Sequence, residues 1–397
     1  MKKMIIRYKM PIFITMNLIM TIGMNLAHPV TPTLFKEMNL GPHVFGISFA
    51  AMCTTNFIFA LIWSNVAHTM KKSRILMISS IGYAIAQLIF GFANNEITIY
   101  AARLLSGVFA GGFQVGFITY IVNEAPLDKQ AVYITYSSIV VSVGAALGFF
   151  IGGYLGDVSI QMTFVIQAIL HIITGLLFYA LLAPLEEIEE KVVWSDLVKS
   201  NPLKIMMDAK PLMQGYVLLV LVSVFISSIG MTLFDQSFGY YIVDVFGFVP
   251  SQSGLVKFAT GVLAVILNTV LLKRKPKNQS LVLKFLFGSL ALLSIGLCFA
   301  VGIAPFLIIS LIWFGAYTVM LPVIQNLVVS QRRNVHEGNQ LAGVYNSLSM
   351  LGRIFGALLT SLIYSIDPIA TFWVSGVIFF ISLIVIMIPN KNQAITN

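Results

Sequence analysis

The chain has 397 residues, of which 58% are hydrophobic and 10% are charged, and its formal net charge is +9. This composition excludes an ordinary water-soluble domain, because mostly apolar stretches of about 20 residues or more, each long enough to cross the hydrocarbon layer as a helix, recur along the whole length. The positive charge is divided among the short segments between these stretches, which argues against a basic patch that binds nucleic acid.

Twelve membrane-spanning helices are predicted in chain order. Helices are required because lipid offers no partner for a free backbone amide or carbonyl group, and the short alternating segments of a membrane β-barrel do not occur in this sequence. The first six spans are predicted at about 11–35, 44–66, 75–94, 98–123, 132–156 and 160–183. The second six are predicted at about 213–245, 251–272, 280–303, 305–330, 340–365 and 369–389.

The longest polar stretch divides the chain into two halves. We predict an N-terminal six-helix bundle at 1–183, a cytoplasmic linker at 184–212 and a C-terminal six-helix bundle at 213–397. The linker begins acidic and becomes basic, and it contains several apolar residues. It is therefore either a solvated connection or a short amphipathic helix on the membrane surface. The predicted fold class is an all-α membrane protein with two bundles.

Basic residues predict the orientation of the spans across the membrane. Lys and Arg precede the first span and follow the second, eighth and tenth spans, whereas the loops on the opposite side carry Lys36 as their one basic residue. Cytoplasmic loops hold the excess of Lys and Arg. We therefore predict a multi-pass protein of the cell membrane with both termini in the cytoplasm.

The two halves repeat a pattern of small residues. Gly144 and Gly148 lie four residues apart in the fifth span, and Gly352 and Gly356 do so in the eleventh. Small residues at this spacing allow two helices to approach closely. Repetition between halves is characteristic of secondary transporters, in which the substrate site lies near the middle of the membrane between the repeats.

The fourth span contains an arginine followed by glycines on one face, in the order Arg103-Leu-Leu-Ser-Gly107-Val-Phe-Ala-Gly111. This pattern resembles the fourth-span motif of the major facilitator superfamily, and more narrowly that of its twelve-span drug:proton antiporters. The resemblance implies a role for Arg103 in proton transfer.

Three other segments extend the resemblance over nearly the whole chain. The fifth span resembles the glycine-rich antiporter motif of exporters, with Phe149 where that motif has proline. Pro29 and Pro32 are similar to the paired prolines of the family's first helix, and the loop 63–74 has its basic cluster, with His68 where an Asp is usual. The resemblance implies the major facilitator fold and close helix packing through six glycines, which are Gly107, Gly111, Gly144, Gly148, Gly152 and Gly153.

Asp235 is the first candidate for coupling transport to protons. It lies in the outer half of the seventh span, between Phe234 and Gln236. A carboxylate at that depth needs a partner, water or a proton. The resemblance implies a functional role, because similar pairs of Phe and acid in the seventh span of related exporters contribute to drug and proton binding. The alternative is an acid at the outer rim of the membrane.

Arg103, Lys257 and Arg353 are cations that also lie within predicted spans. Arg103 is the second candidate for proton coupling, and the alternative is a structural charge bonded to helix carbonyls. Lys257 begins the eighth span, where it either reaches the outer interface or pairs with Asp235. Arg353 is mid-span and expected between helices, and its role in substrate binding or in structure is open.

Polar and aromatic side chains within the spans predict the walls of a substrate cavity. His28 and His171 can titrate near neutral pH, although a single histidine inside a membrane is more often a packing residue. The predicted substrate-binding set is Asn25, His28, Gln114, Tyr136, Phe234, Asp235, Gln236, Phe238, Tyr317, Gln325, Asn346 and Arg353.

These features predict a secondary active transporter that exports amphipathic or lipophilic small molecules in exchange for protons by alternating access. A lipid or glycolipid flippase and a solute importer of the same fold are the alternatives. A membrane enzyme or sensor is disfavoured, because no cluster of nucleophile, acid and base occurs near one interface.

No cofactor is expected. The sequence has no phosphate-cradling loop of the Gly-x-x-x-x-Gly-Lys-Ser/Thr type, so ATP is not the expected direct energy source. Cys53 and Cys298 are single residues in separate spans, which predicts neither a disulfide framework nor a metal site. A bundle of this size can act alone, so a monomer is expected.

Overall fold

The computed structural model describes residues 2–183, 210–273, 278–330 and 335–389. Across these ranges the chain forms thirteen α-helices and no β-strand. Eleven of these helices are long and apolar enough to cross a membrane. The prediction of an all-α membrane protein is therefore confirmed, and the count of spans is close to the predicted twelve.

The helices follow one another with short connections. The first seven are α1 (Lys2–Asn25), α2 (Thr31–Glu37), α3 (Pro42–Thr69), α4 (Lys72–Gly91), α5 (Glu96–Glu124), α6 (Gln130–Val158) and α7 (Ile160–Leu182). The remaining six are α8 (Gly215–Asp244), α9 (Pro250–Lys273), α10 (Gln279–Leu297), α11 (Ile303–Ser330), α12 (Val335–Tyr364) and α13 (Ala370–Met387).

The predicted first span, 11–35, is divided between α1 and the short helix α2. The division follows from Pro29, which lacks the amide that would donate to the carbonyl of Asn25 and disfavours helical conformation in the residue before it. Pro32 is tolerated because it lies in the first turn of α2, where the amide has no intrahelical partner. The two helices α1 and α2 are the ones in the described ranges that do not qualify as spans on their own.

Polar side chains fix where several helices begin. Asn95 Oδ1 accepts a hydrogen bond from Thr98 N at 2.9 Å before α5, and Ser159 Oγ accepts one from Met162 N at 3.2 Å before α7. These caps satisfy amide groups that the first turn of a helix leaves unpaired. They help α5 and α7 to begin only a few residues after α4 and α6 end.

The described helices form two compact units. The first unit contains α1, α2, α4, α5, α6 and α7, the part of α3 from Ala51 onward, and the stretch Ile242–Val265. The second unit contains Gly41–Ala50, α8 as far as Tyr241, and the helical segments from Ile266 onward. The division into bundles at the polar linker stays a prediction.

The amphipathic helix considered for the linker cannot be assessed in the structure, because 184–209 lies outside the described residues. The side chain of His68, which departs from the family pattern, also lies outside what the structure describes.

Each unit has its own aromatic core. In the first unit α4 packs against α5 and α7, and α1 packs against α6 and α7. Phe13 of α1 stacks on Tyr120 of α5, with 4.4 Å between ring centroids, and Phe117 contacts Phe178 at 6.0 Å. In the second unit α10 packs against α11 and α13.

A carboxylate from another helix caps α9. Asp157 Oδ1, at the end of α6, accepts a hydrogen bond from Ser251 N at 3.0 Å. We expect Asp157→Ala to destabilise the protein by about 1 kcal/mol, the usual effect of losing a cap, and Asp157→Asn to retain most of the stability, because the amide oxygen still accepts. Thermal unfolding of both variants in detergent measures the difference. Equal melting temperatures for Ala and Asn would show that the cap does not stabilise α9.

Candidate substrate and coupling site

The seventh predicted span corresponds to α8, and it separates its aromatic residues from its acid. Phe234 and Phe238 are one helical turn apart and are completely buried. Asp235 lies on a different face and is half-buried. Because residues at i and i+4 share a face of a helix, the two rings lie on one buried face of α8, and Asp235, one residue along from Phe234, lies on a neighbouring face.

The two phenylalanines belong to an aromatic stack between α8 and α11. The Phe234 ring is parallel to Trp313, with 3.6 Å between centroids, and Trp313 is parallel to Tyr317 at 5.6 Å. Trp313 is completely buried, and its Nε1 donates to Ser294 Oγ at 2.8 Å. This hydrogen bond fixes the indole ring. Aromatic pairs add about 0.5–1.5 kcal/mol each beyond burial, so the stack is a rigid part of the core of the second unit.

Charged and phenolic groups meet at the end of this stack. The Tyr317 hydroxyl interacts electrostatically with Asp235 of α8 and with Tyr345 and Arg353 of α12, and Tyr345 also interacts with Arg353. Three predicted site residues of the second unit, an acid, a phenol and a cation, are therefore linked by electrostatic interactions through Tyr317. A group of this kind can exchange protons or bind a charged substrate.

Tyr345 was missed by the sequence analysis. Tyr345 and Arg353 lie two turns apart on α12, and that spacing was the available signal. Trp313 was not assigned to the site either. A tryptophan in the middle of an apolar span is unusual, since this residue is enriched near the membrane surfaces.

Arg103 lies in the first unit, so the structure does not place it in the same unit as Asp235. Its guanidinium carbon lies 3.8 Å from the centroid of the Phe90 ring, and its Nη1 lies 3.7 Å from Met52 Sδ. Its Nε is buried and has no hydrogen-bond partner among the described residues. A cation–π contact of this kind stabilises a desolvated guanidinium by about 2 kcal/mol or more. The described contacts of Arg103 include no hydrogen bond to a helix carbonyl, and both its role in proton coupling and the structural alternative stay predictions.

The other predicted lining residues are mostly on exposed helix faces. Asn25 is half-buried and donates through Nδ2 to Thr21 O at 2.8 Å. The exposed or partly exposed members of the set are His28, Gln114, Tyr136, Gln236, Gln325 and Asn346. Polar groups on membrane helices face water or protein rather than lipid, so these positions are compatible with a water-filled cavity. Their role in binding stays a prediction.

The predicted packing glycines lie at close helix contacts. On α5, Gly107 lies against the backbone of Met52 and Gly111 against that of Ala60, both on α3. On α6, Gly144 and Gly148 lie against Thr21 and Ile22 of α1, Gly152 lies against Leu26 directly after α1, and Gly153 lies against Pro250 of α9. In the second half, Gly352 and Gly356 of α12 lie against Phe225 and Ile229 of α8. The fifth span thus meets the first as the eleventh meets the seventh, which is the repeat expected from the sequence.

Lys257 is partly exposed in the second turn of α9. Lys257 and Asp235 belong to different units, and the pairing of the two stays a prediction.

Comparison with known proteins gives consistent matches along the chain. Residues 13–357 match the family model described as Major Facilitator Superfamily. Multidrug resistance protein 2 of Bacillus subtilis is 22% identical over 380 residues, which cover 94% of this chain and 93% of that protein. Quinolone resistance protein NorA of Staphylococcus aureus is 22% identical over 378 residues, or 94% of each chain.

Solved structures show the same fold at low identity. A bacterial homologue of the human lysosomal transporter Spinster has a TM-score of 0.76 at 11% identity, and the match covers 96% of each chain. The human organic anion transporter MFSD10 has a TM-score of 0.69 at 14% identity, covering 96% of this chain and 99% of that one.

Proposed function

The chain belongs to the major facilitator superfamily, whose members are membrane transporters and not enzymes, and we propose from this premise that it exports chemically diverse amphipathic or lipophilic molecules in exchange for protons. Multidrug and quinolone resistance proteins are among its relatives over nearly the full length. Their names support a multidrug efflux function. A small-molecule substrate and a multi-pass membrane location follow from the family itself.

The observation that carries the proposal is the position of Asp235 beside the aromatic stack. Phe234 and Trp313 are stacked and completely buried, so they hold α8 rigidly behind the half-buried carboxyl of Asp235, which interacts electrostatically with Tyr317. Apolar surfaces with a few placed polar groups are typical of small-molecule sites. A lipophilic cation would place its charge toward Asp235 and its apolar part against apolar side chains beside it, so breadth of specificity follows from contacts that depend little on the shape of the substrate.

Proton coupling follows if Asp235 holds either a proton or a cationic substrate, but not both. A proton entering from outside the cell neutralises the carboxyl and releases the cation, and loss of that proton to the cytoplasm restores the charge that binds the next one. An ion gradient supplies about 2.3 kcal/mol per charge for each 100 mV. We propose further that the protein acts as a monomer with both termini in the cytoplasm.

The test is transport by the purified protein in liposomes with an imposed pH gradient. The panel contains lipophilic cations, anionic drugs and fluorescent lipids. We expect the gradient to drive accumulation of the cations, and a protonophore that collapses the gradient to stop it. Movement of labelled lipids without the gradient, and none of the cations, would favour the flippase and contradict the proposal.

A further inference from the structure

Two side chains of α7 carry hydrogen-bond acceptors that lack donors. Gln167 and His171 each have an exposed fraction of 0%. Gln167 Nε2 donates to Gly23 O at 3.0 Å, and His171 Nδ1 lies 2.9 Å from Gln167 O. Because a carbonyl oxygen only accepts, the nitrogen of the amide and a protonated Nδ1 must be the donors. The atoms left over, Gln167 Oε1 and His171 Nε2, are buried without a hydrogen-bond partner in the part of the chain that the structure describes.

A third acceptor of the same kind lies on α4. Gln87 is 1% exposed, and its Oε1 is likewise buried with no partner among the described residues. Tyr83 lies between Gln87 and His171, because Tyr83 and Gln87 are one helical turn apart on α4 and the Tyr83 ring centroid lies 5.1 Å from that of His171. The three acceptors therefore belong to one cluster between α4 and α7.

Among the described residues packed around the cluster, none donates a hydrogen bond to the three acceptors. Gly23 of α1 lies against the His171 ring, and Phe113 of α5 lies 5.9 Å from it. Arg103 of α5 interacts electrostatically with Tyr83, and its Nε–H is itself buried and unmatched within the described ranges. A buried acceptor without a donor costs about 1–3 kcal/mol, so three together strongly oppose the close packing of α4 against α7 unless something donates to them.

We propose that Gln87, Gln167 and His171 line a buried water-binding site in the first unit, in which ordered water donates hydrogen bonds to the three unmatched acceptors. A buried water makes about three hydrogen bonds, so two connected waters can donate to all three acceptors. The site does not include Asp235, and it does not depend on the proposed transport function. In it, His171 is the neutral tautomer that carries its proton on Nδ1.

Bound water can be detected in the unmodified protein by rapid X-ray radiolysis followed by mass spectrometry, because radicals formed from a bound water modify the side chains that touch it. Tyr83 is 4% exposed and Tyr364 is 3% exposed, so the two tyrosines form a matched pair of equal burial. We expect Tyr83 to be modified several-fold faster than Tyr364. Equal rates for the two would overturn the proposal.

A variant and a spectroscopic measurement locate the water. Gln87→Leu removes one acceptor, and we expect it to slow modification of Tyr83 while leaving Tyr364 unchanged. If that variant does not fold, ¹⁵N NMR of the histidine-labelled wild-type protein replaces it, with His171→Gln used only for assignment. The expected spectrum has His171 protonated on Nδ1 and hydrogen-bonded at an unprotonated Nε2. A proton on Nε2, or a free Nε2 lone pair, would contradict the site.

Discussion

Replacing Asp235 with asparagine is expected to reduce pH-gradient-driven transport to the level of protein-free liposomes, while the protein still folds and inserts. Asparagine has nearly the same size and keeps an oxygen that accepts hydrogen bonds, but it cannot take up a proton. Because the side chain is half-buried on α8 and interacts electrostatically with Tyr317, the change removes the titratable charge without opening a cavity. Substrate uptake in liposomes with an imposed gradient measures the effect, and thermal unfolding measures folding.

Two further variants separate proton coupling from a general effect of charge. Asp235→Glu keeps a titratable carboxyl at the same position and should retain part of the coupled transport. Asp244→Asn makes the same chemical change at the end of the same helix, where the side chain is exposed, and should transport like the wild type. Unchanged coupled transport in Asp235→Asn would exclude the residue as the proton site. A comparable loss in Asp244→Asn would show that the charge of this helix, rather than Asp235, is what matters.

Most span boundaries follow from hydropathy alone. The predicted spans 160–183, 213–245 and 369–389 correspond to helices Ile160–Leu182, Gly215–Asp244 and Ala370–Met387. They agree because lipid requires an apolar helix of nearly fixed length, and charged or polar residues therefore end it. The first predicted span differs because proline interrupts a helix through its backbone. A count of apolar residues does not detect such a break, so it does not predict that α1 ends at Asn25.

Whether a side chain points into a helix contact or into a cavity was harder to predict. Phe234 and Phe238 were expected in the walls of a cavity, and in the structure both are completely buried. The helix α8 is apolar on nearly every face, so its sequence pattern does not distinguish a face that packs on α11 from one that lines a cavity. The same reason explains why Tyr345 and Trp313 were missed. Only a residue that breaks the apolar pattern, such as Asp235, can be singled out from sequence.

Replacing Gly152 of α6 with alanine is expected to destabilise the protein strongly. A Cβ atom at this position would overlap the backbone carbonyl of Leu26, the residue that directly follows α1. A backbone carbonyl cannot rotate away as the end of a side chain does, so α6 and the end of α1 must separate. Overpacking of this kind usually costs about 1–3 kcal/mol or more. Here it also disturbs the rest of the contact between α6 and α1, because Gly148 of α6 lies against Ile22 of α1. The melting temperature in detergent and the yield of monodisperse protein measure the loss.

The same substitution at two other glycines supplies a graded control. At Gly116 the added Cβ would meet the Leu76 side chain, whose methyl Cδ2 lies 2.7 Å away and can move, so a modest loss is expected. At Gly239 nothing lies within 4 Å of the added atom, and alanine should be neutral or stabilising because it restricts the unfolded backbone. The predicted order of stability is therefore Gly239→Ala, then Gly116→Ala, then Gly152→Ala. Equal stability of the first and last variants would mean that α6 and α1 do not approach as closely as the structure shows, and the packing role inferred from the glycine spacing would fail with it.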